Sequence, residues 1–248
     1  MTAKKRIVIV GATSAIATHC ARLWVENKSV DLTLVGRDAG RTERVAADLR
    51  VRSPGSDIRV LAAEFIEPGG IDAAVAGIVR DAPPDVVLIA HGMLPDQGEC
   101  ERDLVACHTA LEINAISPVL YAEAFARHLA LRGSGTLAII GSVAGDRGRK
   151  SNYVYGAAKG LVDRYAQGLQ HRFAGTAVKV VLIKPGPTAT PMTAHMQGAK
   201  LASVESVAES IVKAIAAGKP TAYVPGKWRL IMLIIRHLPA FIFNKMNI

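Results

Sequence analysis

Three side chains in the stretch 141–159, GSVAGDRGRKSNYVYGAAK, have the types and spacing of a proton-transfer site. Tyr155 and Lys159 are four residues apart, so on a helix they share one face. An ammonium beside a phenol favours the phenolate and is expected to draw the tyrosine pKa down from about 10. Such a hydroxyl can give a proton to a substrate oxygen and take it back. Ser142 follows an apolar run within a Gly-rich turn, where its hydroxyl can steady the same oxygen. A tyrosine and a lysine at this spacing also meet by chance on solvated helices, so the surrounding elements must decide.

Those elements alternate along the whole chain. Apolar runs that read as strands occur at 6–10, 31–35, 58–61, 86–90, 136–140, 178–183 and 221–224. Between them lie Ala-rich segments with a helical apolar period, including 16–26, 41–50, 111–131, 154–173 and 204–217. Half of the 248 residues are apolar but only 5% are aromatic, so the core is built of Ala, Val, Ile and Leu, as in buried parallel strands. Alternation of this kind predicts an α/β fold. We expect a single doubly wound, Rossmann-type domain with a mostly seven-stranded parallel sheet and helices on both faces. The domain is expected over 1–227, with 228–248 as an apolar and basic C-terminal segment. Three scattered cysteines and seven histidines show no ligand spacing, so neither a metal nor disulfides are expected. Cysteine usage and the absence of a signal-peptide pattern point to the cytoplasm. The formal charge is +9, and no acid follows Glu209. Without a recognition motif, that charge does not argue for nucleic acid.

The strand ends carry the remaining candidates. The first runs into Gly11-Ala-Thr-Ser-Ala-Ile-Ala17 and then a helix, which suits a pyrophosphate held at a helix N-terminus; Gly11, Thr13, Ser14, Ala15 and Ile16 would form that loop. A plain strand-to-helix turn is the alternative, since Ala15 and Ala17 stand where such loops usually carry glycine. Arg37 directly after the second strand suits a ribose 2′-phosphate and favours NADP(H) over NAD(H), although Asp38 beside it suits a free 2′-hydroxyl. Glu64 and Phe65 are placed to border an adenine. Ala90-His91-Gly92 ends the fourth strand, with Gly92 permitting close approach of a ligand and His91 read as packing or a cofactor contact. Asn114 is a polar residue in an apolar helix, either a structural hydrogen-bonder or part of the site. After the sixth strand, 184–191 is a rigid Pro-rich turn leading to 192–198, a candidate lid.

Taken together, the Gly11 turn, Ala90-His91-Gly92, Asn114, Ser142, Tyr155-x-x-x-Lys159 and Pro185-Gly186 with Thr188 resemble the short-chain dehydrogenase/reductase family over essentially the full length. The resemblance implies that Tyr155 is the general acid/base, that Lys159 lowers its pKa and binds the nicotinamide ribose, and that Ser142 orients a carbonyl. Asn114 would help hold a proton-relay water. Pro185 and Thr188 would join the cofactor contacts, and a homodimer or homotetramer is expected. The two alanines, and a missing Asn-Asn before His91-Gly92, depart from the family pattern.

The stretch 145–156 and the ending 236–248 resemble one subgroup, reductases of decaprenylphosphoryl 2-keto-pentoses that work with an oxidase partner enzyme. Arg147, Arg149 and Lys150 would place three cations near the catalytic mouth for a lipid phosphate, or else form a solvated loop. In 228–248, a helix would set Trp228, Ile231, Met232 and Ile235 opposite Arg229, Arg236 and His237. That pattern suits peripheral contact with the inner face of an anionic membrane, or packing on the protein itself. The readings to be weighed are an NADP(H)-dependent ketone reductase, a 3-oxoacyl thioester reductase with the same catalytic residues, and a non-catalytic cofactor-binding scaffold.

Overall fold

The computed structural model describes residues 4–194 and 200–246. Seven strands form one fully parallel sheet in the order β3-β2-β1-β4-β5-β6-β7. They are β1 Lys5–Val10, β2 Val30–Gly36, β3 Asp57–Ala62, β4 Val86–Ile89, β5 Ser134–Ile140, β6 Ala177–Pro185 and β7 Thr221–Val224. Each covers an expected run, except that β4 ends at Ile89, one residue short of the expected 86–90. The strands are apolar on both sides because both faces are covered: in β1, Ile7 and Ile9 join one core while Val8 and Val10 join the other.

The first core lies under α1 (Ala15–Asn27), α2 (Ala39–Arg52) and α8 (Val204–Ala216). The second lies under α3 (Pro68–Val79), α6 (Ser117–Arg132) and α7 (Tyr153–Arg172). Two short helices, α4 (Gln97–Arg102) and α5 (Leu104–Leu111), precede a π-helical turn at Glu112–Ile116 that runs into α6. The strand order reverses direction between β1 and β4, which opens a crevice at the carboxyl ends of the strands, the place where such sheets bind ligands.

Two expectations are adjusted here. The Pro-rich turn at 184–191 does not stop the strand early, since β6 continues through Pro185 and pairs it with Val224. Of the candidate lid, Met192 and Thr193 belong to a 3-10 turn at Pro191–Thr193 that Ala194 ends, whereas 195–198 lies outside the described residues.

The C-terminal segment forms α9 (Trp228–His237) and α10 (Ala240–Phe243). Of the two settings expected for this face of α9, lipid or the protein itself, the structure has the second: Met232 is fully buried, and Trp228, Ile231 and Ile235 are half-buried. The outward side carries a second apolar set, Leu230, Leu233 and Ile234, joined by Phe241 and Ile242 of α10. Trp228 sits hard against the end of β6. A Cβ on Gly186 would fall 1.9 Å from its indole nitrogen. Gly186→Ala is therefore expected to displace α9 and cost about 1–3 kcal/mol, the usual range for overpacking. Urea titration followed by tryptophan emission checks this, and an unchanged midpoint would show that α9 is not seated there.

Candidate active site

The groove begins where β1 meets β4. Gly11 adopts a left-handed φ of +83°, and its N–H donates to the Val35 carbonyl at 2.9 Å. A Cβ here would lie 2.6 Å from the backbone nitrogen of His91, so glycine alone lets the two strand ends approach. Helix α1 opens immediately after, and its Ser14 makes no side-chain cap, leaving the first N–H groups without that partner. Among the described residues every positive φ belongs to glycine, so Ala15 carries no backbone strain. Ala17 is fully buried in the packing of α1 on the sheet. Neither alanine distorts the turn.

Of the residues expected to hold a cofactor, Gly11, Thr13, Ser14, Ala15, Ile16, Arg37, Phe65, Ala90 and Gly92 line one cleft of about 330 Å³. Pro185 and Thr188 line a second cavity of about 210 Å³, together with all four catalytic candidates, Asn114, Ser142, Tyr155 and Lys159. Both cavities share Ser14, Ile16, Ala90, His91, Gly92, Thr190 and Met192, so they form one continuous groove. Glu64 is the exception and lies outside it. Its backbone carbonyl accepts from the Tyr121 hydroxyl at 2.6 Å and its carboxylate accepts from the Phe65 N–H at 3.1 Å, so Ile66 and not Glu64 lines the cleft beside Phe65. His91 is a packing residue with a polar contact: Nε2 meets the Ser117 hydroxyl at 2.8 Å, and the ring packs on Phe65 and Tyr121 at 4.8 and 5.8 Å. Burial, then the charges of Lys159 and Arg37, push its pKa down to about 3, so the ring is neutral and no general acid.

Ser142 lies two residues beyond β5 and accepts from the Ala144 N–H at 3.1 Å, which starts a 3-10 turn over Val143–Asp146. Tyr155 and Lys159 face the cavity from the first turns of α7. The Lys159 ammonium lies 5.8 Å from the centre of the tyrosine ring and donates to the Ile140 carbonyl at 3.1 Å. The expected lowering of the tyrosine pKa by this lysine is not what the geometry produces. Burial holds the Tyr155 phenol above its ordinary value, opposed only by the hydrogen bond from Ser142. The lysine itself is 3% exposed, and burial pulls it down to about 8, with Asp163 acting the other way. The resting phenol is thus protonated, the state a proton donor needs.

Asn114 is fully buried in the π-helical turn. Its amide donates to the Ala110 carbonyl and its Oδ1 accepts from the Met93 N–H, both at 2.9 Å. A Cβ on Gly92 would come within 2.9 Å of that oxygen and 3.6 Å of the lysine ammonium, so Gly92 keeps the strand end close to both.

Behind Lys159 lies a buried chain of charges that the sequence reading missed. Lys184, at the end of β6, donates to Asp146 and to Asp163, and Asp146 also accepts from the Tyr223 hydroxyl at 2.9 Å. Asp163 is four residues beyond Lys159 on the same helix face, a spacing visible in the sequence. Burial raises the Asp163 carboxyl to about 6 despite Lys184.

Residues 5–200 match the short chain dehydrogenase family. The chain belongs to that family. It is 30% identical over 243 residues to an uncharacterized oxidoreductase of Mycobacterium tuberculosis, covering 97% of this chain and 96% of the relative. An uncharacterized oxidoreductase from Streptomyces coelicolor is 29% identical over 98% of this chain and 96% of its own length. A short-chain dehydrogenase from Sphingobium yanoikuyae, solved in complex with NADPH, shares the fold with a TM-score of 0.82 at 21% identity, covering 98% and 96% of the two chains. As a short-chain dehydrogenase, the protein is an oxidoreductase that acts on alcohol and carbonyl groups with a nicotinamide cofactor.

The groove fits such a cofactor. Among the described residues no carboxylate lines either cavity, and at Gly11, Gly36, Gly92 and Gly186, all on the groove walls, a Cβ would collide with its surroundings. The uncapped start of α1 and Arg37 supply donors for phosphate. A reduced nicotinamide bound there supplies a hydride. Replacing Tyr155 with Phe removes the proton donor and little volume. The variant is expected to lose roughly 10²–10⁴-fold in turnover, the scale of general acid catalysis, with NADPH affinity retained. Steady-state rates and NADPH fluorescence titration check this; a variant with full activity would remove Tyr155 from the chemistry.

Proposed function

We propose that this short-chain dehydrogenase reduces a ketone to a secondary alcohol with NADPH, and that its substrate is a polyprenylphosphoryl 2-keto-pentose. The observation that carries the reaction is the convergence of Asn114, Ser142, Tyr155 and Lys159 on one cavity continuous with the Arg37 cleft. Ser142 orients the carbonyl oxygen. Tyr155, protonated at rest, gives its proton to that oxygen as negative charge develops there. Lys159 then stabilises the phenolate left behind, and Asn114 fixes the Gly92–Met93 backbone that borders the site.

The cofactor preference follows from three neighbours. Arg37 and Arg41 both line the cleft, and two cations suit a 2′-phosphate. Asp38, which would suit a free ribose hydroxyl, is committed elsewhere: its carboxylate caps α2 by accepting from the Arg41 N–H at 2.9 Å. Arg37→Ala is expected to weaken NADPH binding by about 1.5–3 kcal/mol, the scale of a charged hydrogen bond, and to leave NADH binding nearly unchanged. Equal losses for both cofactors, measured by fluorescence titration, would contradict the preference.

A polyprenyl tail stays in the bilayer, so the protein must come to it. The outward side of α9 and α10 sets Leu230, Leu233, Ile234, Phe241 and Ile242 among Arg229, Arg236 and Lys245, next to the Gly186 end of the cavity. Each cation near an anionic surface contributes about 1 kcal/mol. We place the protein peripherally at the inner face of the cell membrane, alongside an oxidase partner enzyme that makes the ketone. Exposed Leu104, Val105 and Leu161 on α5 and α7 support a homo-oligomer, a dimer or tetramer. Full-length protein is expected to co-sediment with phosphatidylglycerol vesicles at low salt, and the double variant Leu233→Glu/Ile234→Glu to stay in the supernatant. Wild type left in the supernatant would end the membrane reading.

A further inference from the structure

Of the three cations expected at the catalytic mouth, two are placed elsewhere. Arg147 donates to the carbonyls of Ile235 and Leu238 at 2.6 and 2.7 Å and stacks 3.7 Å from the Phe243 ring centre, which ties the C-terminal segment down. Lys150 is exposed and does not line the cavity. Arg149 does line it, on the wall that also carries Tyr155, and its Nε is buried with no hydrogen-bond partner. Asn152, three residues on, also lines the cavity, and its Oδ1 is buried and unpartnered in the same way.

A buried guanidinium N–H that finds no acceptor is costly even where the rest of the side chain is only half-buried. Arginine does not neutralise by losing a proton, so the acceptor missing at Nε, and a countercharge, must come from outside the side chain. The protein provides none here, because no carboxylate lines the cavity among the described residues. Burial already disfavours the charged form of Arg149. A ligand anion removes that penalty, and the planar fork of donors matches phosphate oxygens in pairs. Asn152 Oδ1 is an acceptor, so it needs a donor such as a hydroxyl.

We infer that Arg149 is the anion site of the substrate cavity, holding a phosphate ester, with Asn152 accepting from a neighbouring hydroxyl. The assignment of this anion to the ketone substrate rests on the reduction proposed above; the anion site itself does not. Phosphate on a lipid and phosphate on a soluble sugar offer Arg149 the same chemistry.

Calorimetric titration of the full chain saturated with NADPH separates these cases, using methyl phosphate and octyl phosphate as probes. Wild type is expected to bind phosphate, and Arg149→Gln to weaken that binding at least tenfold, while Arg149→Lys keeps the charge, loses the fork and falls between. Preference for the octyl ester points to a lipid-linked source and equal binding to a soluble one. NADPH affinity in Arg149→Lys, with its fold checked by circular dichroism, is expected to stay within threefold of wild type. Binding of neither probe, equal binding by wild type and Arg149→Gln, or a tenfold loss of NADPH affinity in Arg149→Lys would overturn the site. A turnover arm compares dihydroxyacetone phosphate with dihydroxyacetone. Wild type is expected to favour the phosphate ester at least tenfold in kcat/KM, and Arg149→Gln to lose that preference. A preference kept by Arg149→Gln would overturn the assignment, whereas phosphate binding with no turnover of either ketone would sink the reduction and leave the anion site standing.

Discussion

A buried lysine held between two carboxylates ties this active site together. Lys184 donates to Asp146 and Asp163 with all three side chains nearly inaccessible, their side-chain exposures between 4% and 7%. A lone ammonium at that depth would be several kcal/mol unfavourable, and removing one partner from such a pair typically costs about 3–5 kcal/mol. The three residues come from the end of β6, the turn after β5 and the middle of α7. Tyr223 adds the end of β7 through its hydrogen bond to Asp146. Four elements are thus fixed around the cavity by one set of polar contacts, and Lys159, the proposed partner of Tyr155, sits one helical turn from Asp163 on the same helix.

That constraint explains why burial dominates the chemistry. Without Asp163 nearby, desolvation would strip Lys159 of its proton more readily still. With it, the ammonium is available and, among the described residues, makes no direct ion pair and donates to the Ile140 carbonyl at the end of β5. The phenol of Tyr155 is kept protonated by the same dry surroundings. Close glycine contacts complete the geometry: Gly145 would drive a Cβ to 2.8 Å from Asp163 and from the Lys159 backbone, so the turn can lie against α7 only without a side chain.

Much of this was legible in the sequence because parallel strands buried on both faces appear as short continuous apolar runs, and all seven did. The Ser142, Tyr155 and Lys159 register was equally plain. What the sequence leaves open depends on particular side-chain contacts, some local and some between distant segments. Helix α3 begins Pro68-Gly69-Gly70, a composition of turns, yet Glu67 caps it by accepting from both glycine N–H groups. The apolar face of α9 suits lipid and protein equally well in the sequence, and only the packing of Trp228 on Gly186 and the burial of Met232 show that it faces inward. The same holds for Arg147, whose charge looked free for a ligand but which secures the C-terminal segment. Glu64 stands beside Phe65 in the sequence, but its carbonyl and carboxylate serve Tyr121 and its own neighbour and not the cleft.

The central claim is that the positive charge assisting Tyr155 resides on a buried lysine whose proton affinity is set by its surroundings and by Asp163. Carbon-13 NMR of protein labelled at the lysine ε-carbons, titrated between pH 6 and 11, reads that affinity directly. One resonance, absent from the Lys159→Ala protein, is expected to titrate at about 8. A spectrum in which every lysine titrates near 10, the ordinary value, would contradict the account.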